Sequence, residues 1–258
     1  MKTTLLAAIA AIGLSLTAGV AAAETVRVGV AAEPYPPFTE PDANGNWKGW
    51  EIDFMNAVCA EAKLDCVVTP VAWDGIIPAL TSNKIDAIIG SMSITEERMK
   101  TIDFSDKYYN TPSVIAAAKG SGITPDADGL KDKIVGVQVS TIHQDYVTTH
   151  FGDAAAEIKE YQTQDEANQD LVAGRVDAIM ADSLALDAFV KSDAGGCCEI
   201  VGAVADDPAI LGAGVGIGLR KGDDALKEKF NAAIAAVREN GTYAEFSKNY
   251  FDFDIYGQ

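Results

Sequence analysis

Leu80-Thr81-Ser82-Asn83-Lys84-Ile85-Asp86-Ala87-Ile88-Ile89-Gly90 and Leu171-Val172-Ala173-Gly174-Arg175-Val176-Asp177-Ala178-Ile179-Met180-Ala181 follow one plan. Each reads as the end of an amphipathic helix, a turn with a basic residue, and a short apolar strand. Val28-Gly29-Val30 and Val135-Gly136-Val137 form a second echo, a β-rich run opening each segment. The chain therefore carries the same α/β plan twice. Strands that alternate with helices predict parallel sheets covered on both faces. In such sheets a ligand sits beyond the carboxyl ends of the strands. That rule selects the segments after Val30, Ile89, Val137 and Met180, which hold Tyr35, Ser91, Thr141 and Asp182.

After Pro208 the simple tandem ends. Gly214-Val215-Gly216-Ile217-Gly218-Leu219 reads as a glycine-rich strand that crosses back to the first half, and a helix follows from about Asp223 to Glu239. Asn110-Thr111-Pro112 reads as the outward crossing. Paired crossings form a hinge that a ligand closes. The expected architecture is α/β: two lobes with parallel-rich sheets joined by a two-strand hinge. Residues 24–110 with 214–258 make lobe 1, and residues 111–213 make lobe 2.

Residues 1–23 have the layout of a secretory signal peptide, with Lys2, an apolar run from Leu5 to Val20, and Ala21-Ala22-Ala23 before Glu24. The run is short for a membrane span, so export with cleavage near Ala23 is expected. A hydrophobic content of 48% without low-complexity tracts describes a globular chain. A formal net charge of −18 repels polyphosphates and anionic lipid, which argues against nucleic acid as a partner. Four cysteines in an exported chain favour disulfides over a metal site. Cys59 and Cys66 could close a small loop, whereas adjacent Cys197 and Cys198 could form a strained ring or stay free. His143 and His150 lack metal-ligand spacing, and G-x-S-x-G, H-E-x-x-H and G-x-x-x-x-G-K-[ST] do not occur. Neither catalysis nor a cofactor is expected.

Ser91-Met92-Ser93-Ile94-Thr95-Glu96-Glu97-Arg98 runs from a strand end into a helix start that Thr95 or Ser93 can cap. The acids suit the positive end of that helix, but Arg98 does not unless an anion is near. Its guanidinium can clamp a carboxylate through two parallel charge-assisted hydrogen bonds, or pair with Glu96 on the surface. Asp182 holds the equivalent place in the second copy and can receive an ammonium group or cap the helix from Leu184 to Phe189. The prolines of Glu33-Pro34-Tyr35-Pro36-Pro37-Phe38 fix φ and stiffen the segment. Tyr35 and Trp73 can hold an aliphatic stem or stack on a cation, or serve as core. Glu33 and Glu51 can give the pocket a negative far end, or lie on solvated surface.

Taken together, Tyr35-Pro36-Pro37-Phe38, Gly49-Trp50-Glu51-Ile52-Asp53, Ser91 to Arg98, Asp106-Lys107-Tyr108-Tyr109, Gly214 to Lys221 and the ending Asn249 to Gly257 are highly specific. The chain resembles the periplasmic lysine/arginine/ornithine- and histidine-binding proteins of bacterial ABC importers, solute-binding family 3, with opine-binding proteins as close relatives. The resemblance covers essentially the whole chain after residue 23. It implies a periplasmic-binding-protein-like Venus-flytrap fold, capture without chemistry on the ligand, and delivery to a membrane permease. A periplasmic monomer is expected. The resemblance further implies that Arg98 binds the α-carboxylate with help from Ser91, Ser93 and Thr141, and that Asp182 binds the α-amino group. Tyr35 and Trp73 would stack on the side chain, Glu51 would help hold a cationic end, and Cys59 and Cys66 match the family's disulfide. Gly90, Met92 and Gln138, beside these positions, complete the expected lining.

The chain also departs from that pattern. Ala32 stands where relatives carry an aspartate, with Glu33 nearby in a segment one residue longer. Val139-Ser140-Thr141-Ile142-His143 replaces Gly-Ser-Thr-Gln or Gly-Thr-Thr, so Ile142 takes the place of a hydroxyl and His143 is set to enter the pocket. These changes leave the amino-acid grip intact and bear on the side chain. The expected ligand is a free cationic L-amino acid, arginine, lysine, ornithine or histidine. An opine, a polar neutral amino acid, or a dehydratase-type enzyme on the same fold are the alternatives.

Overall fold

Val26, Val28 and Val30 are buried, and this period of two sets the inner face of the first strand. The computed structural model describes residues 24–257, so the expected signal peptide lies outside the described residues. In chain order the first part comprises β1 (Glu24–Ala31), β2 (Glu40–Pro41), β3 (Trp47–Lys48), α1 (Trp50–Glu61), β4 (Leu64–Val71), α2 (Ile76–Thr81), β5 (Ala87–Ile88), α3 (Glu96–Met99) and β6 (Ile102–Tyr109). Next come β7 (Ser113–Ala118), β8 (Ile134–Gln138), α4 (Ile142–Phe151), β9 (Glu157–Tyr161), α5 (Gln164–Val172), β10 (Ala178–Asp182), α6 (Ser183–Lys191), β11 (Cys198–Ala203) and α7 (Pro208–Leu211). β12 (Val215–Arg220), α8 (Asp224–Glu239) and α9 (Thr242–Ser247) follow.

Two five-stranded sheets result, ordered β4-β1-β5-β12-β6 and β11-β7-β10-β8-β9. The expectation of parallel sheets holds for three strands of each: β4, β1 and β5 run parallel, as do β9, β8 and β10. β12 is antiparallel to β5 and β6, and β7 is antiparallel to β10 and β11. The reason lies in the connections. Asn110-Thr111-Pro112 leads directly from β6 in one sheet to β7 in the other, with no crossover helix. A strand that enters from the neighbouring sheet begins at the end where the parallel strands finish, so it must run the other way. β12, expected as the crossing itself, is an integral strand of the first sheet, and the return passes through residues between β11 and β12.

The sequence echo has a structural meaning. Asp86 Oδ2 accepts the backbone N–H of Arg27 at 3.0 Å, and Asp177 Oδ2 accepts that of Ile134 at 2.8 Å. Each repeated aspartate therefore pins the start of the strand that follows it to that strand's parallel neighbour. Asp86 also takes the Arg27 side chain through two 2.8 Å contacts, and this arginine holds its carboxyl down to about 2.

Each sheet carries apolar clusters on its faces. One face of the first is covered by α1, α8 and α9 around fully buried Trp50, Phe54, Tyr108 and Phe230. The other face holds Ile76, Leu80 and Ile85 of the α2 region. In the second sheet, Tyr146, Val147 and Phe151 of α4 cover one face, and Leu171 and Leu186 of α5 and α6 cover the other. Gly49 makes the entry to α1 possible: its φ is 120°, and a Cβ there would lie 2.2 Å from the Phe38 carbonyl oxygen. Cys59 and Cys66 are joined as expected, across a sequence separation of 7. Closing a loop of this size stabilises the fold by about 2.5 kcal/mol through the unfolded chain's entropy.

Candidate functional site

Strand ends from both sheets meet at one cleft of about 600 Å³, its mouth included. After β1 the first sheet contributes Ala31, Glu33, Pro34, Tyr35 and Thr39; Trp73 comes from the turn after β4, Gly90 and Ser91 follow β5, and Arg98 lies on α3. The second sheet contributes Gln138 at the end of β8, Thr141, Ile142 and His143 at the start of α4, and Gln164 at the start of α5.

Thr95 caps α3, its hydroxyl accepting the Arg98 N–H at 3.2 Å. The Arg98 guanidinium donates to the Ser93 carbonyl at 3.0 Å and, across the cleft, to the Ser140 carbonyl at 3.2 Å. It lies 5.7 Å from the Trp73 ring centre, and the Trp73 indole N–H donates to the same Ser140 oxygen at 3.1 Å. Among the described residues no carboxylate comes within ion-pair distance of Arg98; the expected alternative partner, Glu96, is exposed. Burial lowers the Arg98 guanidinium to about 10, against a raising effect of Asp145, so it stays charged at neutral pH while its hydrogen bonds go to carbonyl oxygens. Two of its five N–H groups are thus used, leaving the rest for a carboxylate.

Thr141 caps α4: its hydroxyl accepts the Gln144 N–H at 3.1 Å and donates to the Gln138 carbonyl at 2.7 Å. The first turn of α4 thereby presents backbone N–H groups at the cleft, an arrangement that favours an anion. His143 enters the cleft as expected, and burial, reinforced by Arg98, lowers its imidazole to about 3. It is neutral at physiological pH and adds no positive charge. At Glu33 the opposite condition holds: its buried Oε2 has no hydrogen-bond partner. A buried anionic oxygen left alone is costly, and it is the acceptor that an incoming cation would satisfy.

Four expected lining residues are elsewhere. Glu51 is fully buried below the wall, and its oxygens accept the Ser91 N–H at 2.6 Å, the Ser91 hydroxyl at 3.1 Å and the Tyr108 hydroxyl. Its contacts therefore hold Ser91, whose φ is 56°, rather than facing the cleft. Met92 is core beside Ile76 and Leu80. Ser93 turns its carbonyl to Arg98 and is itself buried. Asp182 is spent as a cap: Oδ1 accepts the Leu184 N–H at 2.8 Å, and Oδ2 accepts the Thr111 hydroxyl from the crossing segment. Its carboxylate is off the cleft wall, and burial raises it to about 6.

Thr39 and Gln164 line the cleft and escaped sequence reading. Gln164 had a usable signal, since Thr163-x-x-Glu166 is a capping box directly after β9, whose carboxyl end obeys the same strand-end rule. Among the described residues no group of three or more His, Cys, Asp or Glu is placed to hold a metal ion.

Burial raises Glu51 from an ordinary value of 4.5 to about 7, against the lowering effect of its hydrogen bonds. Folding therefore favours the protonated acid. The stability this provides is complete below the unfolded value and is lost as pH rises through about 7. Melting temperatures measured from about pH 5 to about pH 8 are expected to fall less in Glu51→Gln than in the parent. Equal slopes would show that Glu51 does not titrate in this window.

The profile of the bacterial extracellular solute-binding proteins, family 3, matches residues 26–253. The L-arginine-binding protein of Pseudomonas aeruginosa is 44% identical over 257 residues, 99% of this chain and 98% of that one. The lysine/arginine/ornithine-binding periplasmic protein of Escherichia coli K12 is 40% identical over 260 residues, covering 100% of both. Among solved structures, an ancestral arginine-binding protein bound to arginine superposes with a TM-score of 0.81 at 37% identity, over 89% of this chain and 99% of that one.

Proposed function

Because the chain belongs to the bacterial extracellular solute-binding proteins, family 3, we propose that it captures a free cationic L-amino acid, arginine foremost, and delivers it to the membrane permease of an ABC importer. One observation carries this reading: a single cleft holds a guanidinium, Arg98, with no carboxylate at ion-pair distance among the described residues, and a buried carboxylate oxygen, on Glu33, with no hydrogen-bond partner among them. An amino acid with a cationic side chain supplies the missing group at both ends. Its α-carboxylate goes to Arg98 and the first turn of α4, its stem lies along Trp73 and Tyr35, and its side-chain cation reaches Glu33. Ser91, Thr141 and Gln138 present polar groups to the head. Relatives named as binding proteins support capture rather than turnover.

On this reading residues 24–110 with 214–258 and residues 111–213 are two lobes hinged at Asn110-Thr111-Pro112 and at the return to β12. The protein works as a periplasmic monomer after removal of residues 1–23. The test is calorimetry on unfolded and refolded protein, which removes carried-over ligand, against arginine, lysine, ornithine, histidine, glutamine and an opine. Arginine is expected to bind tightest, and at a free concentration about a hundred times Kd to stabilise the fold by about 2.7 kcal/mol. Failure of every cationic amino acid to bind would sink the proposal.

A further inference from the structure

Cys197 ends the turn between α6 and β11 and Cys198 opens β11, and nothing above uses them. Their sulfurs are 3.0 Å apart. Cys197 is exposed, whereas Cys198, the first residue of β11, is 1% exposed. The peptide joining them is held on both sides: Lys119 N–H donates to the Cys197 carbonyl at 2.9 Å, and Cys198 N–H donates to the Gly195 carbonyl at 2.9 Å. The Lys119 ammonium is anchored on the adjacent Gly196 carbonyl at 2.7 Å, which puts a positive charge beside the thiols.

We infer that Cys197 and Cys198 form a thiol–disulfide exchange site, with Cys197 as the attacking thiol and Cys198 as the resolving one. The division of labour follows from access, because a bulky disulfide can reach only the exposed sulfur. The Cys197 thiolate attacks one sulfur of an incoming organic disulfide, forming a mixed disulfide and releasing the first thiolate. The Cys198 thiol, which burial pushes up, gives up its proton as its sulfur attacks Cys197 Sγ, closes the vicinal ring and expels the second thiolate, which takes up a proton in turn. Two protein thiols are oxidised, one disulfide is reduced to two thiols, and the two protein protons end on the released thiolates or in water. The neighbouring sulfurs make the second step intramolecular and fast relative to escape of the mixed disulfide. Ring closure must distort a peptide whose N–H and C=O are both engaged, so the closed form reopens readily with added thiol.

The test treats the reduced-thiol form of the exported chain, Cys59–Cys66 intact, with oxidised glutathione, followed by alkylation and peptide mass analysis. In the parent, the Cys197-Cys198 peptide is expected to lose the mass of two hydrogens and to carry neither glutathione nor alkyl groups. Cys198→Ser should accumulate a stable glutathione adduct on Cys197, and Cys197→Ser should react at least tenfold more slowly than Cys198→Ser. A melting temperature within about 2 °C of the parent's shows that both variants are folded. A persistent adduct on the parent, two alkylated thiols, a covalent dimer through Cys197, or equal reactivity of the two variants would each overturn the inference. None of these outcomes depends on the ligand assigned to the cleft.

Discussion

Arg98→Ala lowers the affinity for the captured amino acid by a hundredfold or more, about 3 kcal/mol, in calorimetry on refolded protein. The magnitude follows from desolvation. Arg98 sits among Trp73, His143 and backbone carbonyls, where burial has already lowered its guanidinium to about 10. Among the described residues Asp145 acts on this charge only from beyond ion-pair distance, so a bound carboxylate in direct contact is its strongest available partner. Without Arg98 that carboxylate would enter a partly apolar cleft facing a neutral imidazole and a helix start, and much of its lost hydration would go uncompensated. Arg98→Lys keeps the charge but loses the planar fork, so its affinity should fall between parent and alanine variant. Unchanged affinity in Arg98→Ala would show that the carboxylate binds elsewhere, with the helix start at Thr141 as the next candidate.

The second large effect is on stability. Trp50→Ala is expected to cost about 3–5 kcal/mol in urea unfolding, with the midpoint shifted and the slope retained. Trp50 has no exposed surface, and its ring stacks 5.7 Å from Phe54 and 6.1 Å from Tyr108. Edge contacts join it to Tyr109 and Tyr243 at 5.5 Å and 5.6 Å. The residue thus links α1, β6 and α9, which no smaller side chain can span. Its removal leaves a cavity and also frees the Ser247 hydroxyl, which now accepts the indole N–H at 2.9 Å. A cost below about 1 kcal/mol would mean that the aromatic cluster collapses to fill the space.

The repeat around Asp86 and Asp177 made the doubled α/β plan legible, because a part-buried aspartate that accepts a neighbouring strand's N–H imposes a fixed order of helix, polar residue and apolar strand. Asn110-Thr111-Pro112 announced a crossing, and Thr95 announced the cap that orients Arg98. Strand direction was less legible: β7 and β12 have the composition of their parallel neighbours, and only their route into the sheet reverses them. The carboxylates were hardest to read. Asp182 stands at the end of β10 and Glu51 at the start of α1, where a cleft acid would be expected. What decides their role is whether a hydroxyl or amide from another part of the chain arrives first, and Thr111, Ser91 and Tyr108 do. Glu33, one residue displaced from the family's pattern, keeps the open oxygen. Spacing along a chain reports which side chains approach a site, but not which lone pairs remain free there.

The sheet order also dictates a sequence of assembly. β6 is an edge strand whose sheet neighbour is β12, and β12 lies more than a hundred residues later in the chain. As the chain is presented from its N-terminal end, β4, β1 and β5 can pair at once, but β6 must wait with an open edge. The second sheet has no such gap, since all five of its strands fall between Ser113 and Ala203. Long-range pairing is slow because the loop must close before the contact forms. The half of the protein that starts first is therefore completed last, and its final strand is delivered by the half that started second.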